Sequence, residues 1–299
     1  MRPIPAALAS LALLVPLAAA AACPPQGWDR GELDALKGAG FAGLAEAPRE
    51  ALALGLVDCL GDPDPTLRDG IAYEALATWL RADPSLSPAT REALLETLPA
   101  RLAATQGAGF EAPFAALVIS EVARTDRVAA WMTPAQRQSV VDAAAAYVEG
   151  IRDYRGFIDG EGWRHGVAHG ADLLMQLALN PALDKVQLSR LLAAAAAQVA
   201  PVGAPPYVHG ESERLVRPVL FALQRGLHDE AEWRAWLARV SAPAPMADWS
   251  EAYRSEAGLA RRHNARVFLL ALYAGLDASG NEALQARVPA VVEALRAVP

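Results

Sequence analysis

The sequence predicts an all-α fold, and three observations carry that reading. Alanine, leucine and arginine dominate while aromatic residues make up only 6% of the chain, a balance that favours helix over sheet. Asp64-Pro65, Ser87-Pro88 and Thr133-Pro134 each set a capping residue directly before proline, the arrangement of a helix start. Apolar residues then recur at helical spacing between short polar or Pro/Gly connections.

In chain order, residues 1–22, MRPIPAALASLALLVPLAAAAA, combine basic Arg2, an apolar stretch broken by Pro16 and alanines suited to cleavage after Ala22. This is the pattern of a secretory signal peptide rather than of a spanning helix, and it leaves 23–299 as a single helical-repeat domain. Helices are expected near 29–38, 48–60, 65–82, 88–105, 112–130, 134–151, 163–179, 184–199, 212–226, 229–240, 249–275 and 281–297. Short loops make consecutive helices antiparallel, giving about six hairpins of roughly 46 residues, near the HEAT and armadillo period. A HEAT/armadillo-like α-solenoid is therefore expected. A closed α/α toroid uses the same helices and stays open as the alternative.

The formal charge is −7 and the arginines are spread along the chain, which excludes the basic patch of a nucleic-acid or polybasic membrane-surface binder. No run after the signal reaches membrane length without charges, so no transmembrane helix is expected in the mature chain. The two cysteines, Cys23 and Cys59, would pair in an oxidising compartment, and that loop contributes roughly 3 to 4 kcal/mol by closure entropy. The expected location is exported, periplasmic or secreted. The alternative is a lipid anchor on Cys23, although Ala20, Ala21 and Ala22 lack the leucine usual before a lipidated cysteine.

The stretch GFIDGEGWRHGVAHGADLL, residues 156–174, concentrates the chemistry. On a helix over 163–179, His165, His169 and Asp172 form one stripe, with Gly162, Gly166 and Gly170 beside it on a face bared for close packing. His-x-x-x-His on a helix is a two-ligand metal contributor, so His165, His169 and Asp172, with Glu211 or His209 as other third partners, could hold a divalent metal with an open position for water. No glutamate follows His165 as in HExxH hydrolases. The competing reading is neutral histidines that hydrogen-bond loop backbone or contact a ligand.

Two long loops, 153–162 and 201–211, flank that helix. In HGESERLVRP, 209–218, Glu213 and Arg217 lie one turn apart as an expected ion pair, while Glu211 and Arg214 would reach the histidine stripe, where an arginine fork holds a carboxylate or phosphate. Asp153, Asp159 and Glu161 among Tyr154, Phe157 and Trp163 suit either a sugar-cleaving carboxylate pair or a plain Asp/Gly turn. Arg68 and Asp69 in DPDPTLRDG are expected exposed or bonded to neighbouring backbone, and His228 and His263 at the surface or at helix ends. No phosphate-cradling loop, CxxC pair or G-x-S-x-G elbow is present, which sets nucleotide and serine-hydrolase readings aside.

DPDPTLRDGIAYEALATWL, then YRGFIDGEGWRHGVAHGADLL, then GESERL, in that order and spacing, resemble a bacterial family of unknown function, DUF2785. The resemblance implies an α-helical protein of unassigned biochemistry and supports the position of the site. The leading expectation is an exported protein that binds an unknown small molecule or protein through a cleft lined by Trp163, His165, His169, Asp172, His209, Glu211 and Arg214. Two alternatives stand beside it: a metal-dependent hydrolase built on the His165/His169 pair, and a purely structural scaffold whose polar stripe fixes packing between hairpins.

Overall fold

The computed structural model describes residues 23–103 and 108–299, so the expected signal segment lies outside the described residues. Within them the chain is helical apart from one two-stranded hairpin. The first part comprises α1 (Arg30–Gly38), α2 (Glu46–Gly55), α3 (Pro65–Leu67), α4 (Glu74–Arg81), α5 (Pro88–Leu102), α6 (Glu111–Val128) and α7 (Pro134–Gly150). After β1 (Phe157–Ile158) and β2 (Gly162–Trp163) come α8 (Gly166–Ala178), α9 (Lys185–Ala197), α10 (Glu211–Gln224), α11 (Glu230–Val240), α12 (Glu256–Asp277), α13 (Glu282–Gln285) and α14 (Val288–Ala297).

The cap residues legible in the sequence begin these helices. Asp64 accepts from Thr66 N at 2.8 Å and Ser87 from Thr90 N at 3.2 Å. Thr133 forms a reciprocal box with Gln136, so orphan amide donors are satisfied at each start.

Alternate helices pack side by side. One row runs α4, α6, α8, α10, α12; behind it α5 contacts α7, α7 contacts α9 and α9 contacts α11. α6 sits in the middle of the first row and is buried nearly all round by Phe114, Leu117, Val118, Ile119 and Val122, as a helix covered on every side must be. At the N-terminus Cys23 and Cys59 form a disulfide, which leaves no Cys23 thiol for a lipid thioether.

Several expected boundaries shift. The helix expected from Trp163 starts at Gly166, because Phe157 pairs with Trp163 and Ile158 with Gly162 in the hairpin, and positive φ at Gly160, Gly162 and His165 turns the chain. Gly162 therefore does not continue a helical glycine row. Gly166 and Gly170 do lie buried on α8, and a Cβ on Gly170 would stand 2.8 Å from Val148 Cγ2 of α7. The segment expected as one helix over 249–275 breaks at Ser255, which is extended and caps α12 through Gly258 N at 3.0 Å, after a 3-10 turn over Trp249–Arg254. The last helix divides likewise into α13 and α14.

Arg68 is the largest departure. Expected exposed or bonded to neighbouring backbone, it is fully buried within a π-helical turn, Arg68–Tyr73, that joins α3 to α4. The wider turn carries the guanidinium inward, over the Phe110 ring at 3.7 Å. It donates to Asp62 O at 2.9 Å, as expected for backbone bonding, but also to Glu161 O at 2.8 Å in the distant hairpin loop.

A polar cleft between α8 and α10

The loop before α8 sets its first histidine. Arg164 N and His165 N donate to Gly156 O and Arg155 O at 3.0 Å each, closing the chain back on itself. This holds His165 at φ 53° and ψ 40°, a left-handed conformation costing on the order of 1 kcal/mol for a residue with a Cβ. The ring is thereby stacked on Trp163, with centroids 4.7 Å apart and planes 23° apart.

Around that stack the structure brings together residues from two loops and three helices. The His169 ring lies 5.8 Å from that of His165 and meets Phe114 of α6 edge-on at 5.3 Å. The His209 ring lies 5.8 Å from Trp163 and 6.3 Å from His165, and His209 N donates to Glu211 Oε2 at 2.8 Å. His209 also rests on bare backbone, since a Cβ on Gly156 would stand 2.3 Å from its Nδ1. Arg214 of α10 is ion-paired with Asp172 of α8, and Arg217 Nη1 reaches the same carboxylate at 3.8 Å. The Glu213–Arg217 pair expected from spacing does not form among the described residues, because Arg217 turns to this half-buried acid instead.

Electrostatically His165 and His169 are neutral at pH 7. Burial pushes His169 down to about 3, with Arg214 and Arg68 acting the same way and the Pro113 carbonyl opposing them. Burial also lowers His165, against the pull of Glu211. Asp172 is raised by burial, opposed by Arg214 and Arg217. His165 Nε2 and His169 Nδ1 are both buried and make no well-formed hydrogen bond among the described residues, although the backbones of His209 and Pro113 lie close enough to favour the charged form of the respective rings. No group of three or more His, Cys, Asp or Glu side chains placed to hold a metal ion occurs among the described residues, so the set His165, His169 and Asp172 is not assembled as a three-ligand centre. Asp172 faces arginines, while the His165 ring stacks on an indole.

Two of the three loop carboxylates are paired. Asp153 pairs with Arg155, and Glu161 with Arg164 at 2.7 Å, so they serve loop closure rather than a carboxylate pair. Beyond them, loops 152–158 and 205–211 enclose a concavity of about 890 Å³ against Tyr154, Phe157, Pro206, Val208, His209 and Glu211.

Sequence reasoning missed the opposite wall. Tyr73, at the end of the π-helical turn, packs on Phe114 at 6.3 Å, and its hydroxyl is raised first by burial and then by Glu121 and Asp172. Glu121, 3% exposed, is ion-paired with Arg81 of α4. The one signal for it was an acid inside the apolar run APFAALVISEVA.

Fold and site thus define an all-helical protein with a cluster of histidines and arginines gathered at α8 and α10, in the middle of one helix row. The chain belongs to the family described as "Protein of unknown function (DUF2785)", which matches residues 79–274. The matched part contains every expected site residue from Trp163 to Arg214, but not Arg68 or Tyr73. No curated protein and no solved structure matches the chain.

Proposed function

We propose that this is an exported helical-repeat protein that binds a small ligand bearing a carboxylate or phosphate group in the cleft between α8 and α10. The observation that carries the reading is the pair of buried, unpartnered ring nitrogens, His165 Nε2 and His169 Nδ1, beside Arg214. Each such group destabilises the empty protein by roughly 1 to 3 kcal/mol, which a hydrogen-bonding ligand relieves. Charge selects the ligand class. Asp172 meets two guanidinium groups, Arg214 and Arg217, so at this end of the site one positive charge is left for an anionic oxygen, while Glu211, beside His165 and His209, carries the balancing negative charge at the other end. Trp163, 38% exposed, offers the uncovered part of its ring to a flat or apolar part of the same molecule.

Export is supported by the Cys23–Cys59 disulfide and the leader-like residues 1–22. No helix among the described residues is long and apolar enough to cross a membrane. The two helix rows support reading the architecture as a short solenoid.

Calorimetric titration with succinate and, separately, inorganic phosphate tests the reading. Saturable binding of one of them, weakened at least about tenfold in Arg214→Gln with unfolding temperature unchanged, is expected. Equal affinity in wild type and variant, or binding of neither anion, overturns it. Untagged protein equilibrated with zinc separates the hydrolase reading: stoichiometric zinc lost in His169→Ala would favour catalysis.

A further inference from the structure

A second, separate pocket lies between α9 and α11, a cavity of about 230 Å³ lined by Ser189, Leu192, Leu223, His228, Trp233 and Trp236 among others. His228, expected at the surface or at a helix end, sits directly before the α11 cap Asp229 and is only 9% exposed. Its protonation pattern follows from the hydroxyl beside it. Ser189 Oγ lies 2.9 Å from both Lys185 O and His228 Nε2; with its single hydrogen directed to Lys185 O, it accepts from the imidazole. In that arrangement the imidazole hydrogen is on Nε2, and Nδ1 is a bare acceptor. Burial lowers the ring's affinity for a second proton, which keeps it neutral.

Two buried atoms of residues that line the pocket then have no partner among the described residues: the His228 Nδ1 acceptor and the Trp233 Nε1 donor. Trp233 is 1% exposed and stacked on Trp236, whose own indole N–H is spoken for by Leu192 O at 2.9 Å. Glu232, on the same lining, is neutralised by Lys185 at 2.7 Å. A carboxylate would satisfy only the donor and an ammonium only the acceptor, whereas a hydroxyl does both.

We propose that this pocket is a second binding site, for a neutral hydroxyl-bearing molecule of aromatic or short aliphatic type. Phenol is the probe. Its titration is followed through the Trp233 indole N–H resonance, assigned with Trp233→Phe, and through the His228 ring nitrogens. The expected result is a saturable shift of both, with affinity about tenfold weaker in Trp233→Phe, which keeps a ring and drops the donor. Ser189→Ala, a change at an exposed position, frees the tautomer and weakens phenol several-fold, while Arg214→Gln leaves it unchanged. An unmoved Trp233 resonance, a His228 ring carrying its hydrogen on Nδ1, or equal affinity in Ser189→Ala overturns the proposal.

Discussion

The His169 ring stands edge-on to Phe114, with centroids 5.3 Å apart and planes at 80°, so this buried imidazole is held by an aromatic neighbour rather than by a counter-ion. Burial there pushes its pKa from 6.5 down to about 3. Between those two values the unfolded chain binds a proton that the folded one does not. The stability involved is present in full above about pH 6.5 and is lost as pH falls toward 3, at up to about 1.4 kcal/mol per pH unit. His169→Phe removes the titration, so its urea-denaturation midpoint is expected to fall less steeply than that of wild type over this range. Parallel slopes would contradict the assignment.

Asp172 and Arg214 are opposite halves of one pair, but the anion-binding reading gives their removal opposite consequences. Arg214→Gln removes the donor and weakens succinate or phosphate. Asp172→Asn removes the internal competitor and leaves two free guanidinium groups, so anion affinity is expected to rise, by about three- to tenfold. Calorimetry on the two variants checks the sign.

Gly170 and Gly166 are both buried on α8, yet only one lacks room for a methyl group. A Cβ on Gly170 meets Val148 Cγ2 at 2.8 Å and Tyr147 Cε1 at 3.3 Å, whereas one on Gly166 comes no closer than 3.3 Å to the Tyr147 hydroxyl. Overpacking of about 1 to 3 kcal/mol outweighs the helix-propensity gain of about 1 kcal/mol at Gly170 only. Chemical denaturation should find Gly170→Ala destabilised and Gly166→Ala close to wild type.

Arg68 ties α3 to the hairpin loop through Glu161 O while covering Phe110. Arg68→Met leaves those carbonyls unpaired and Asp69 without its partner, a loss of roughly 3 kcal/mol. Hydrogen exchange should accelerate at Arg164 N and His165 N, the amides that close the loop onto α8. Acceleration confined to α3 would place the tether elsewhere.

Much of the fold was legible because its signals are local. Asp64-Pro65, Ser87-Pro88 and Thr133-Pro134 each begin a helix where the cap chemistry requires it. The start of α8 was not legible, because a two-residue strand and a left-handed histidine leave no periodic trace. In the site, His165 and His169 were visible from their four-residue spacing, and loop proximity pointed to Glu211 and Arg214. Tyr73, Arg81 and Glu121 were not, since they reach the cleft through packing of α4 and α6, which no local pattern records. Arg68 was misjudged for a related reason: an arginine in a Pro/Asp-rich turn looks solvated until two phenylalanines and a distant carbonyl are folded onto it.

The central claim is that His165 and His169 present their free nitrogens to one ligand held by Arg214. Protein labelled with ¹⁵N-histidine, titrated with succinate or phosphate and followed at the two imidazole rings, tests it most directly. The account predicts that His165 Nε2 and His169 Nδ1 shift together on one saturation curve, and that Arg214→Gln moves that curve to higher concentration. Rings that stay unperturbed while calorimetry reports bound anion would contradict it.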